Sequence, residues 1–154
     1  MLFNQCFLLF FISNTHIKVN FRKEVLYMQF YNNEHKEFYY KSIECCQMDD
    51  SYHRALFYVL GIDNDCRRNI HKLYNFENNQ IKLNGLNEAW QTSGSFQCCL
   101  LGFNLFNGYV YNHDKIQSTP YDLFTSEYGA FFIEGIKLRY PESTRLRNKD
   151  IQVR

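Results

Sequence analysis

Two prolines, seven glycines and one tryptophan occur in 154 residues. With so little Pro and Gly, no linker-like or low-complexity block divides the chain, and no internal repeat is visible. No run approaches the roughly 18 apolar residues of a membrane-spanning helix. Neither sign of charge dominates: 17 Lys and Arg face 16 Asp and Glu, a net +1. That balance argues against a bulk basic nucleic-acid coat. Local catalytic signatures are missing as well. There is no G-x-x-x-x-G-K-[ST], no G-x-G-x-x-G, no H-E-x-x-H, no G-x-S-x-G and no EF-hand loop. The six cysteines include no C-x-x-C and no zinc-finger spacing with histidine. No cofactor and no metal is therefore expected. Cys45-Cys46 and Cys98-Cys99 are sequence neighbours, which strains any bridge within a pair. In the absence of a credible export signal, reduced thiols and a cytoplasmic location are the expectation.

Hydrophobic side chains are plentiful: 45% of residues are hydrophobic and 18% aromatic, too many for a disordered chain. The length fits one domain that buries roughly 70% of its unfolded surface. Residues 1–27 look foreign to it. The apolar run Cys6–Ile12 has no Lys or Arg before it and no small-residue cleavage site after it, unlike a secretory signal. Lys23-Glu24-Val25 can be encoded AAG-GAG-GTN, which contains a ribosome-binding sequence, and Met28 follows at a suitable spacing. We read 1–27 as leader DNA translated in frame, or a disordered extension. Residues 28–141 form one α-helical domain, and 142–154 a basic polar tail. Residues 28–136 hold eight basic and thirteen acidic residues, a net −5, whereas 137–154 hold six and two, a net +4.

Periodicity predicts an all-α fold, a compact irregular bundle of about six helices. Asn32-Asn33 cap a helix over 34–46. Asp49-Asp50-Ser51 cap another over 52–60, which Gly61 ends. In 65–74, Cys66, Ile70 and Leu73 form an apolar stripe. Ile81–Leu83 is a short extended piece, and Asn84-Gly85 opens a short helix through Trp90. Thr92 and Ser93 cap a helix over 96–106 that is apolar almost all round, which predicts a central position. A long irregular stretch follows from Asn107-Gly108 to Pro120. Thr125 or Ser126 caps the last helix, 127–139, which Pro141 stops.

Arg67, Arg68 and His71 form the most suggestive polar cluster. Arg and His one helical turn apart suit phosphodiester binding or cleavage, with Arg neutralising phosphate and His moving a proton. Helical RNases of the HEPN type use a longer Arg-to-His spacing, and the plain reading is a solvated helix face. Trp90 and Gln91 precede Thr92-Ser93-Gly94-Ser95 at a helix junction. Trp90 there plugs a corner and the hydroxyls cap a helix, or they hold an anion. Tyr109 and Tyr111 in the long loop are candidate partner contacts. Asp49, Asp50, Asp63 and Asp65 read as helix caps. His113-Asp114 has no accompanying nucleophile. Arg139, Arg145, Arg147, Lys149 and Arg154 offer a solubilising tail or a contact to nucleic acid.

Several runs carry a family likeness: Ala55-Leu56-Phe57-Tyr58-Val59-Leu60, Ala89-Trp90-Gln91-Thr92-Ser93, Gly102-Phe103-Asn104-Leu105-Phe106-Asn107 and Ile136-Lys137-Leu138-Arg139-Tyr140-Pro141. The chain over about 28–141 resembles small proteins of Clostridium-like Firmicutes and their mobile elements, grouped as domain of unknown function 6075. The resemblance implies an accessory protein of phage, plasmid or prophage and carries over no activity or catalytic residue. The expected function is non-enzymatic binding of a macromolecule, with a protein partner favoured and no membrane. Two alternatives stand beside it: an RNA or phosphodiester binder using Arg67, Arg68 and His71, and a homo-oligomer joined through aromatic side chains.

Overall fold

The computed structural model describes residues 28–111 and 119–144. The segments 1–27, 112–118 and 145–154 lie outside it, and with them His113, Asp114, Arg145, Arg147, Lys149 and Arg154. The all-α class holds: the described residues contain eight α-helices and, as their only sheet, a hairpin of two two-residue strands.

Helix α1 (Asn33–Cys46) starts where Asn32 accepts the His35 amide, and α2 (Ser51–Ile62) where Asp50 accepts the Tyr52 and His53 amides. These side chains satisfy N–H groups that have no partner in the first turn. The two starts agree with the sequence reading. Gly61 does not end α2. It lies inside the helix, where a Cβ would sit 2.6 Å from His35 Cδ2, so glycine is required by crowding rather than by a turn.

The predicted helix over 65–74 is broken at Asn69 into α3 (Asn64–Arg68) and α4 (Ile70–Leu73). Asn69 donates its side-chain amide to the Asp65 carbonyl at 2.9 Å. Tyr74 leaves the helix for a hairpin of β1 (Tyr74–Asn75) and β2 (Gln80–Ile81), paired antiparallel with Tyr74 opposite Ile81. A 3-10 turn, Leu83–Asn87, stands where the short helix through Trp90 was expected. Helix α5 (Ser93–Asn107) carries a full capping box between Thr92 and Ser95. Helix α6 (Pro120–Phe124) begins at the end of the stretch read as irregular, over residues assigned to no element, with Thr119 as its cap and proline at its first position. Helix α7 (Gly129–Arg139) starts later than predicted, and Tyr128 caps it without a side-chain bond. Pro141 opens α8 (Pro141–Thr144) instead of only stopping α7.

Helix α2 occupies the centre, touching α1, α5 and α7. Every residue from Ala55 to Ile62 is buried, including Phe57 and Tyr58, which a one-face reading of 52–60 leaves out. The apolar α5 packs beside it, burying Cys98, Cys99 and Phe103 fully. Gly135 lets α7 cross α2 closely: a Cβ there would lie 2.5 Å from Val59 Cγ2.

Candidate functional site

Arg67 is spent on the scaffold. Its Nη1 donates to the Gly61 and Ile62 carbonyls at 2.7 and 2.9 Å, and Nη2 to Asn64 Oδ1 at 3.4 Å. A guanidinium fork on the last carbonyls of α2 satisfies acceptors that the helix itself leaves open. Arg68 is exposed. His71 is exposed too, on the far side of the Asn69 break. It lines a cavity of about 470 Å³ with Lys72, Lys82 and Glu88, and neither arginine lines that cavity. Lys72 Nζ pairs with Glu88 at 2.9 Å, and Lys82 Nζ donates to the His71 carbonyl at 2.8 Å. The three residues therefore form no single cleft.

Trp90 is half-buried against the core, and its indole N–H is buried without a partner among the described residues. Gln91 braces the junction. Its Nε2 donates to the Gly85 carbonyl at 2.9 Å and its Oε1 accepts from Ser95 Oγ at 2.6 Å. Tyr109 and Tyr111 are half-buried on α5, their rings 6.1 Å from Phe103 and 5.2 Å from Phe96. Arg139 donates Nε to the Leu105 carbonyl at 2.8 Å and lies 3.6 Å over the Tyr52 ring. Asp50 and Asp63 are helix caps, as expected; Asp49 instead accepts Arg54 Nε at 2.6 Å.

Four features were missed by the sequence reading. The first is His35, fully buried, with Nδ1 accepting the Tyr31 amide at 3.2 Å and Nε2–H donating to the Tyr58 carbonyl at 2.7 Å. These bonds assign the neutral tautomer. Burial is the main cause of its lowered pKa, about 4; the Tyr58 carbonyl opposes the shift and Arg67 adds to it.

The second is a His53–Asp50 pair, Nδ1 to Oδ2 at 2.8 Å. Burial works against the Asp50 carboxylate, but the His53 amide and ring and the Tyr52 amide outweigh it and hold the group below its ordinary range. Among the described residues the thiol nearest the pair is not an activated one. Burial pushes nearby Cys46 up to about 11, and Cys66 and Cys98 well above the usual thiol range, so these cysteines are poor nucleophiles.

The third is a polar cavity, also about 470 Å³, between the α2–α3 junction, the first turn of α5 and the turn before α7. Buried Asp63 and exposed Glu127 contribute its carboxylates, and Tyr128 donates to Asp63 Oδ2 at 3.3 Å. Residues of such distant positions could not be joined by local spacing.

The fourth is a set of uncovered apolar side chains on α6 and α7. Tyr121 is 80% exposed, Ile133 46% and Phe124 40%. Helix α7 is apolar in composition yet buries only Gly129, Phe132 and Gly135.

Among the described residues, no group of three or more His, Cys, Asp or Glu side chains is placed to hold a metal ion. No described helix is long and apolar enough to cross a membrane. No curated protein and no solved structure matches the chain. The model of one protein family does match, over residues 26–152, and with that span covered the chain belongs to the family of unknown function DUF6075.

Proposed function

We propose that this chain is a cytoplasmic accessory protein of a mobile element that works by holding another protein, and that α6 and α7 supply the contact. The carrying observation is the exposure of Tyr121, Phe124 and Ile133 on two consecutive helices. Scattered apolar side chains are ordinary on a surface. Large aromatic and aliphatic ones on adjoining elements are the composition of interface cores. Burying the exposed 40% of Phe124 and 46% of Ile133 against a partner gains roughly 1 kcal/mol each.

The groups with chemical potential support binding over catalysis. Arg67 is bonded to main-chain carbonyls, both His35 nitrogens are satisfied, and Cys46 is held protonated. All five described cysteines are free thiols, which suits a reducing compartment.

A photo-crosslinking residue placed at Tyr121 in cells of the native host tests the proposal. The expected product is a discrete adduct with one other protein, lost when Phe124→Ser and Ile133→Ser are combined. Those two changes should lower the melting temperature only by a few degrees, because the side chains are 40% and 46% exposed, and the crosslink is read on variant protein that keeps its helical far-ultraviolet spectrum. An adduct only of the chain with itself assigns the surface to homo-oligomerisation instead, and no adduct refutes it.

A further inference from the structure

We propose that Cys66 and Cys99 form a redox-active dithiol, which a low-molecular-weight disulfide such as oxidised glutathione converts to a disulfide bond stapling α3 to α5. The proposal is independent of the protein-binding reading and of the α6–α7 surface.

The two sulfurs already touch. Cys66 Sγ lies 3.8 Å from Cys99 Sγ, between residues 33 positions apart on two helices in contact. A disulfide places its sulfurs about 2.0 Å apart, so the present gap must nearly halve. The side that can yield is α3, a helix of five residues that ends at the Asn69 break. The neighbouring pairs Cys45-Cys46 and Cys98-Cys99 are strained as bridges by their adjacency. Loss of the two thiol protons strands no buried group. Cys66 Sγ–H donates to the Ser95 carbonyl at 3.4 Å, but that oxygen lies inside α5, where the helix supplies its own donor. Gln91 Nε2 approaches Cys99 Sγ at 3.5 Å and keeps its bond to the Gly85 carbonyl.

Both thiols are fully buried, and burial holds Cys66 well above the usual thiol range. Exchange therefore begins when the core opens and a thiolate forms. One cysteine thiolate attacks a sulfur of the small disulfide, whose S–S bond breaks to release one small thiolate. The other cysteine thiolate then attacks the protein sulfur of that mixed disulfide and releases the second. Two protein thiols become one protein disulfide, the small disulfide becomes two thiols, and the two protons pass to them through water. Close packing favours the second step, because the reclosed core has room for two bonded sulfurs and none for a glutathione group. In a reducing compartment the bond lasts only while the thiol pool is oxidised. The loop it closes holds α4, the hairpin and the 3-10 turn, so the oxidised chain has less freedom to gain on unfolding.

The experiment equilibrates the full chain with mixtures of oxidised and reduced glutathione, in urea well below the unfolding midpoint so that the core opens and recloses. Free thiols are then blocked with N-ethylmaleimide, and the linkages are mapped by mass in a non-reducing digest. The expected product is a peptide pair joining Cys66 to Cys99, with glutathione on neither and Cys98 recovered as a blocked thiol. The oxidised chain should unfold at a urea midpoint about 1–2 M higher, through the closed loop, and dithiothreitol should restore the original midpoint. Cys66 or Cys99 joined mainly to any other cysteine, glutathione retained on either, or no linkage between them in the most oxidising mixture each overturn the proposal. A bond that forms but leaves the midpoint unchanged or lowers it overturns the claim that the native packing accepts the staple.

Discussion

His35 ties the entry of the chain to the middle of α2, since its two ring nitrogens bond to Tyr31 and Tyr58. The Nδ1 bond leaves no lone pair for a second ring proton, so acid must break that contact, while the Nε2–H bond to Tyr58 survives protonation. In the unfolded chain His35 takes its proton near pH 6.5, in the fold near 4. Between those values the unfolded state binds more protons, so stability falls as pH falls. The expected loss for wild type is about 3 kcal/mol from pH 7 to pH 4, measured by urea unfolding at fixed pH steps. A His35→Gln variant should be weaker at pH 7 and show a flatter profile across that window; equal slopes would refute the assignment. Asp50 is held below its ordinary range, so its contribution is present above the unfolded carboxylate pKa and is lost as pH falls through the lower folded value, after His35 has titrated. Little of this is legible in sequence. His35 stands out only as a lone histidine, because its acceptor lies 23 positions away. Arg67 was legible as a cation but not as a cap, since its carbonyl partners follow from the path of the chain after Ile62.

Caps were the most readable feature at the scale of elements, because they act over three residues. Asn32, Asp50 and Thr92 each bond the amides that their positions imply. Thr92→Ala should therefore cost about 1 kcal/mol, seen as a lower urea midpoint with an unchanged slope. The break at Asn69 was hidden for the opposite reason. Cys66, Ile70 and Leu73 keep helical spacing across it and all three are buried, so the apolar stripe carries no trace of the interruption. Contacts between helices were equally illegible. Gly135 reads as a weak residue in a helix, yet it is the position that lets α7 reach Val59. Gly135→Ala improves local propensity and still should destabilise by about 1–3 kcal/mol through overpacking. A variant as stable as wild type in urea would show that the helices can separate at no cost.

For the whole molecule, composition and periodicity were enough for the all-α class, while the centre of the fold was not a matter of one helix. Helix α5 reads as central because it is apolar almost all round, but α2 is buried continuously from Ala55 to Ile62 through the joint cover of α1, α5 and α7. Cys66, Cys98 and Cys99 lie in this shared core, all fully buried, with Cys66 Sγ 3.8 Å from Cys99 Sγ. With no surface of their own, these thiols should meet a reagent only when the core opens. In a Cys6→Ser chain, half-buried Cys45 should react first at neutral pH with excess reagent, and the three core thiols should follow together. Their common rate should rise with urea at the slope of the equilibrium transition. Rapid reaction of Cys98 or Cys99 without urea, or a rate independent of urea, would mean that α5 leaves α2 by a local motion and that the two helices do not form one cooperative core.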